Sequence, residues 1–105
     1  MSKKVIYIAG PITGVPHYWE AFEAAEKEIE ARGCIALNPA RLPEGMSNKQ
    51  YAQICTGMIH SADGVLLLNN WPSSKGATLE KKYCEYIGRL HSTRLDILVA
   101  ALMER

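Results

Sequence analysis

Apolar and polar positions sort this chain into short continuous apolar runs alternating with longer stretches of helical period. Val5-Ile6-Tyr7-Ile8-Ala9 is the first run, and such a run reads as a strand buried on both faces. Residues 17–32 then place Tyr18, Phe22, Ala25 and Ile29 at helical spacing, with Glu20, Glu23, Glu26, Lys27 and Glu30 opposite. This predicts an amphipathic surface helix closed by Gly33 as its C′ residue. Cys34-Ile35-Ala36-Leu37 is a second, shorter strand, ended by Asn38-Pro39. After a polar loop containing Pro43, Glu44 and Gly45, Ser47-Asn48-Lys49-Gln50 has the spacing of a capping box. The helix it starts turns Tyr51, Ile54, Cys55, Met58 and Ile59 inward. Ala62-Asp63 precedes a third strand over residues 65–68. A loop over 69–75 leads to a third helix near Gly76-Ala77-Thr78, whose buried side is expected to carry Leu79, Tyr83, Ile87 and Leu90. Residues 95–99 read as a final strand, because the preceding helix needs an end near Gly88. Ala100-Ala101-Leu102-Met103 after them reads equally well as helix.

Strands alternating with helices predict a three-layer α/β sandwich around a small parallel sheet of four to five strands, with right-handed crossovers. At 105 residues, 48% of them apolar, residues 1–105 make one domain with one core. Four strands are few for this architecture, so a homo-oligomer, dimer or larger, that covers exposed apolar surface is expected.

Charge narrows the partners. Twelve basic against eleven acidic side chains leave a net charge of +1, and no basic run exceeds Lys3-Lys4 or Lys81-Lys82. Polymeric nucleic acid and anionic membrane are therefore not expected. No apolar segment approaches the ~20 residues that span a bilayer, and the first residues lack a signal-peptide pattern. Cys34, Cys55 and Cys84 are odd in number and far apart, and read as reduced thiols of a cytoplasmic protein. His17, His60 and His91 show no ligand spacing with them, so neither a metal nor another cofactor is expected.

Candidate chemistry gathers where strands end. The carboxyl ends of the first three strands lie on one rim of such a sheet, the edge at which ligands bind in open α/β folds. They deliver Tyr7 with Gly10-Pro11-Ile12-Thr13-Gly14, then Asn38-Pro39, then residues 69–80. Glycines there permit close backbone approach. Ser73-Ser74-Lys75-Gly76-Ala77-Thr78 combines hydroxyls, a cation and a helix start, which together can cradle a phosphate. The order is not that of a P-loop, and the same residues also describe an ordinary capped helix. Glu80, expected in the first turn, reads either as a carboxylate facing the helix dipole or as a nucleophile at the mouth of the site. Tyr7 reads as core packing or as a hydroxyl that orients a carboxylate. Trp19 and Trp71 flank the rim, as packing or as stacking surfaces for a base. Asp63 reads as a turn or helix-end residue.

Tyr7-Ile8-Ala9-Gly10-Pro11-Ile12-Thr13-Gly14, Asn38-Pro39, Ala62-Asp63-Gly64-Val65 and the stretch from Trp71 to Glu80 together resemble the nucleoside 2-deoxyribosyltransferase-like superfamily. The likeness is to a small bacterial and phage branch of domains of unknown function, and it extends to about Gly88. It implies a Rossmann-like fold and cleavage of the N-glycosidic bond of deoxynucleosides or their monophosphates. By position, Glu80 would form the deoxyribosyl–enzyme intermediate and Tyr7 would orient it. Ser74 would meet a 5′-phosphate, Gly10 would shape the sugar pocket and Gly76 would allow close approach. The expected substrate-binding set is Gly10, Pro11, Ile12, Asn38, Trp71, Ser73, Ser74 and Gly76. One departure stands out: where the resemblance places an aspartate that helps the base depart, this chain has Cys55. Two functions follow as expectations: glycosidic cleavage or deoxyribosyl transfer through Glu80, or nucleotide binding without catalysis.

Overall fold

The computed structural model describes residues 3–104. Its elements are β1 (Val5–Ala9), α1 (Tyr18–Ala31), β2 (Ile35–Leu37), α2 (Asn48–Ser61), β3 (Gly64–Leu67), α3 (Lys75–Ile87), β4 (Leu90–Ser92) and α4 (Leu95–Met103). Two 3-10 turns, Pro39–Arg41 and Trp71–Ser73, follow β2 and β3. All strand pairs are parallel, in the order β2-β1-β3-β4. The result is a Rossmann-like three-layer sandwich. Because side chains alternate along a strand, β1 sends Ile6 and Ile8 to one face and Tyr7 and Ala9 to the other. Ile6, Ile8 and Leu66 pack with Phe22, Ile29, Leu98 and Leu102 of α1 and α4. Tyr7, Ala9, Val65 and Leu67 pack with Cys55, Ile59 and Cys84 of α2 and α3. No helix among the described residues is long and apolar enough to cross a membrane.

Local chemistry sets the boundaries. The expected capping box is present: Gln50 N donates to Ser47 Oγ at 3.2 Å, and Ser47 N donates to Gln50 Oε1 at 2.9 Å. Gly33 and Gly88 take φ of +77° and +73° just past α1 and α3, a conformation that glycine adopts at little cost. Asp63 ties the start of β1 to β3: Val5 N donates to its Oδ2 at 2.8 Å, and its own N donates to Val5 O at 2.7 Å.

Three expectations are corrected. The fourth strand is Leu90–Ser92, and Leu95–Met103 is a helix that packs Leu95, Leu98 and Leu102 against the sheet. A run of almost uniform apolarity does not reveal its own period. In α3, Leu79 is 67% exposed, whereas Ala77 and Cys84 are buried. Glu26, expected on the solvated face of α1, is 8% exposed.

Gly64 shows how closely α4 sits on β3. A Cβ at that position would lie 3.0 Å from Leu98 Cδ1 and 3.3 Å from Leu102 Cδ1. Gly64→Ala is therefore expected to lower stability by about 1–2 kcal/mol in denaturant melts, as overpacking does. An unchanged midpoint would show that α4 shifts freely.

Candidate active site

Tyr7, in the middle of β1, and Glu80 of α3, 73 residues apart in sequence, meet where α3 packs on the sheet. The Tyr7 hydroxyl donates to Glu80 Oε2 at 2.8 Å. Tyr7 reaches this point because β1 is flanked by β2 and β3, with Tyr7 paired to Leu37 on one side and Val65 on the other. Its ring is 1% exposed. Glu80 is the sixth residue of α3 and shares the helix phase of Ala77 and Cys84, so it faces the sheet. It lies in the second turn and not the first, where a helix dipole has little hold on it. The dipole reading of Glu80 thereby loses its basis.

Glu80 is set against a largely apolar cluster, and among the described residues no charged group bears on its carboxyl. Burial pushes its carboxyl up to about 7, and only the Tyr7 hydrogen bond acts in the opposite direction. Tyr7 is raised well above the usual phenol range, by burial first and the Glu80 charge next. Cys84, one turn along α3, is pushed up to about 11 by burial and then by Glu80. Cys55 is raised mainly by burial, with the Glu80 charge adding to it against the effect of Tyr7. Both thiols therefore stay protonated at neutral pH and serve neither as bases nor as strong acids. Lys81, the nearest lysine along the helix, turns away. Its Nζ pairs with Glu85 at 2.8 Å and lies 5.5 Å from the Trp71 ring centroid.

The Ser73–Thr78 stretch forms one lip. Ser73 Oγ donates to Asn70 O at 2.8 Å, and Ser74 Oγ, as N-cap of α3, accepts from Ala77 N at 3.1 Å. Thr78 Oγ1 donates to Ser74 O at 2.7 Å. The loop is thus built as a capped helix start, while the Ser74 hydroxyl keeps its own proton to donate. Gly76 faces open space, since a Cβ there would meet nothing nearer than Ser74 Oγ at 3.8 Å. Beside it lies a concavity of about 320 Å³ lined by Pro72, Ser73, Ser74, Lys75, Thr78 and Leu79. Tyr7 and Glu80 do not line it.

The other expected residues divide. Trp71 is half-buried against the cluster that holds Tyr7. Gly10 follows β1 where a Cβ would come within 2.7 Å of Leu68 Cδ1 and 3.1 Å of Leu68 Cβ, so a larger residue there would force Leu68 to move. Pro11 is buried, and Ile12 packs on the opposite, α1 side. Asn38 is turned aside: its Nδ2 donates to Glu26 Oε1 at 3.2 Å and its Oδ1 accepts from Ala40 N at 2.9 Å. Two features escaped the sequence reading. Cys84 stands four residues after Glu80, on the same helix face. Glu26 is in phase with Phe22 and Ile29, a spacing that marks it as inward.

The family described as "Domain of unknown function (DUF4406)" matches residues 4–91, most of the chain, and the chain belongs to that family. The match takes in Tyr7, Glu80 and the whole lip between them, and stops before α4. No curated protein and no solved structure matches the chain.

Proposed function

We propose that this DUF4406 member cleaves the N-glycosidic bond of deoxynucleosides or their 5′-monophosphates through Glu80, as its likeness to the nucleoside 2-deoxyribosyltransferase-like superfamily implies. The observation that carries the reading is a half-buried carboxylate held by one phenol and, among the described residues, balanced by no cation. Burying an unbalanced charge is costly, and a positive charge developing on a bound ligand would relieve that cost. An oxocarbenium-like sugar has that character. A neutral ligand held without chemistry offsets that cost through hydrogen bonds alone.

In this reading Tyr7 fixes Oε2 and leaves Oε1 to attack C1′ of the sugar. The C1′–O bond forms as the C1′–N bond breaks, and the bonding pair departs with the base nitrogen. That nitrogen takes its proton from solvent at the open rim, since Cys55 and Cys84 are poor acids. Water then attacks C1′, the ester C1′–O bond breaks, Glu80 is released as carboxylate and one water proton passes to solvent. A second base attacking in place of water gives transfer. The substrate is a small molecule, and the chain works in the cytoplasm, as an oligomer.

Binding without turnover is the second reading, and Cys55 favours it, because a buried protonated thiol cannot do the work of an aspartate on the leaving base. Free-base release from a panel of deoxynucleosides and 5′-monophosphates separates the two. Release supports the enzyme; ligand binding with no release from any member of the panel supports the module. Ser74→Ala is expected to lower stability by about 1 kcal/mol as a lost N-cap. It should also raise KM for a monophosphate about tenfold more than for the matching nucleoside, as one lost charge-assisted hydrogen bond would. Equal losses for both would contradict a phosphate at this lip.

A further inference from the structure

On the opposite face of the sheet from Glu80, a concavity of about 260 Å³ is lined by Trp19 and Glu23 of α1 and by Asn38, Ala40 and Arg41 after β2. It lies at the carboxyl-end rim, where β2 ends. Its floor is rigid. Glu26, 8% exposed, accepts from Arg41 Nε at 2.9 Å and from Arg41 Nη2, and also from Asn38 Nδ2 at 3.2 Å. Arg41 is thus clamped side-on by a buried acid although two-thirds of its side chain is exposed. Its Nη1 hydrogens have no acceptor among the described residues. Trp19 is 45% exposed and is held edge-on by His17 at 5.1 Å and Tyr18 at 5.5 Å between ring centroids. Its indole N–H likewise has no partner among the described residues. Glu23, half exposed, adds a carboxylate whose other neighbour is Lys27 at 3.2 Å.

The volume suits one ring system and not a whole nucleotide. The wall offers an aromatic face, a fixed guanidinium and a carboxylate. A guanidinium donates to the O6 and N7 acceptors of guanine, and a carboxylate accepts from the N–H groups on the neighbouring edge of that ring. Adenine presents a donor where guanine has O6, and so fits the guanidinium poorly. We infer that the Trp19–Glu23–Arg41 concavity is a second ligand site, which takes a 6-oxopurine ring by stacking on Trp19 and hydrogen bonding to Arg41. The buried Glu26–Asn38 pair holds Arg41 in place for it. This site uses neither Tyr7 nor Glu80 and stands independently of the glycosidic reading.

The two tryptophans report the two regions separately, Trp19 here and Trp71 against the cluster that holds Tyr7. The test is a titration of the isotope-labelled Glu80→Gln chain, in which turnover cannot consume the probe, followed through the indole N–H resonances. Guanosine should move the Trp19 resonance saturably, and adenosine should do so about tenfold more weakly, the scale of one lost base contact. Arg41→Gln should remove the effect. Because that variant leaves Glu26 buried without its partner, Glu23→Gln, at the exposed wall, provides the second check and should weaken guanosine binding severalfold with the fold intact. No Trp19 response up to about 1 mM guanosine, or equal responses to both nucleosides, would overturn the inference. A Trp19 response with no base release in the wild type would leave this site standing and remove the proposed reaction; the reverse pattern would do the opposite.

Discussion

Glu80→Gln is expected to abolish base release while making the protein more stable above neutral pH. The first half follows from removing the attacking oxygen without changing shape, and losses of a nucleophile run to about 10⁴-fold or more. The second half follows from linkage. The Glu80 carboxyl titrates at about 7 in the folded chain against 4.5 for an ordinary glutamate. Between those values the folded state holds a proton that the unfolded state has released. Stability therefore falls as pH rises from 4.5 to about 7 and is level beyond. The full shift corresponds to about 3 kcal/mol, and about 2 kcal/mol is a fairer expectation for a carboxylate that still meets some water. Glutamine carries no such charge, so the variant should melt several degrees higher than the parent at pH 8 and at about the same temperature at pH 4. Wild-type and variant melts at the two pH values check this. A variant destabilised at pH 8 would show that the carboxylate is compensated after all.

Tyr7→Phe should move the pH profile in a stated direction. The Tyr7 hydrogen bond is the one influence that lowers the Glu80 carboxyl, and burial opposes it. Without the hydroxyl, Glu80 ionises above 7, so the acid limb of kcat/KM shifts to higher pH. At pH 7 the loss should be about 10²-fold, from the protonated nucleophile and its lost orientation together, with partial recovery as pH rises. The fold itself should lose only about 1 kcal/mol, because the ring stays and one hydrogen bond goes. A uniform drop in rate with the limb unmoved would assign Tyr7 to packing alone.

The parallel α/β layering and three of the four helices were legible because their signals are local, whereas the strand order β2-β1-β3-β4 is set by tertiary packing. The apolar run of β1, the 3.6-residue period of α1 and the Ser47–Gln50 capping box each dictate structure without tertiary help. The carboxyl-terminal end was not legible, for the opposite reason. Leu90–Ser92 is three residues long, carries His91 and is half-buried throughout, so nothing in it signals a strand. Leu95–Met103 is apolar nearly all round, and its helical form is decided by packing on the sheet. The phase of α3 misled for a more informative reason. Assigning apolar residues to the inside buries Leu79, whereas the helix is rotated to bring Glu80 over Tyr7 and leaves Leu79 and Tyr86 at 67% and 87% exposure. A carboxylate turned inward at the expense of a leucine breaks the local rule, and functional sites are where such breaks are expected.

Of the site itself, the pairing of Tyr7 with Glu80 was expected only from the resemblance, which makes Tyr7 the residue that orients Glu80, and the two side chains do meet in a 2.8 Å hydrogen bond. The commitment of Asn38 to Glu26 was not foreseen, because a buried acid on a helix rich in glutamate is visible only through its phase with Phe22 and Ile29. Nor did the sequence reveal that Ser73, Ser74 and Thr78 bond first to their own loop, since such bonds depend on how the turn closes.

The most direct measurement is a search for the covalent intermediate. The wild-type chain is quenched in acid during turnover of a slowly processed deoxynucleoside, digested, and its peptides weighed. A deoxyribosyl adduct on the peptide containing Glu80, absent from Glu80→Gln, is the predicted result. Base release proceeding with no adduct on Glu80, or with equal release from the variant, would contradict the nucleophile and with it the account given for this site.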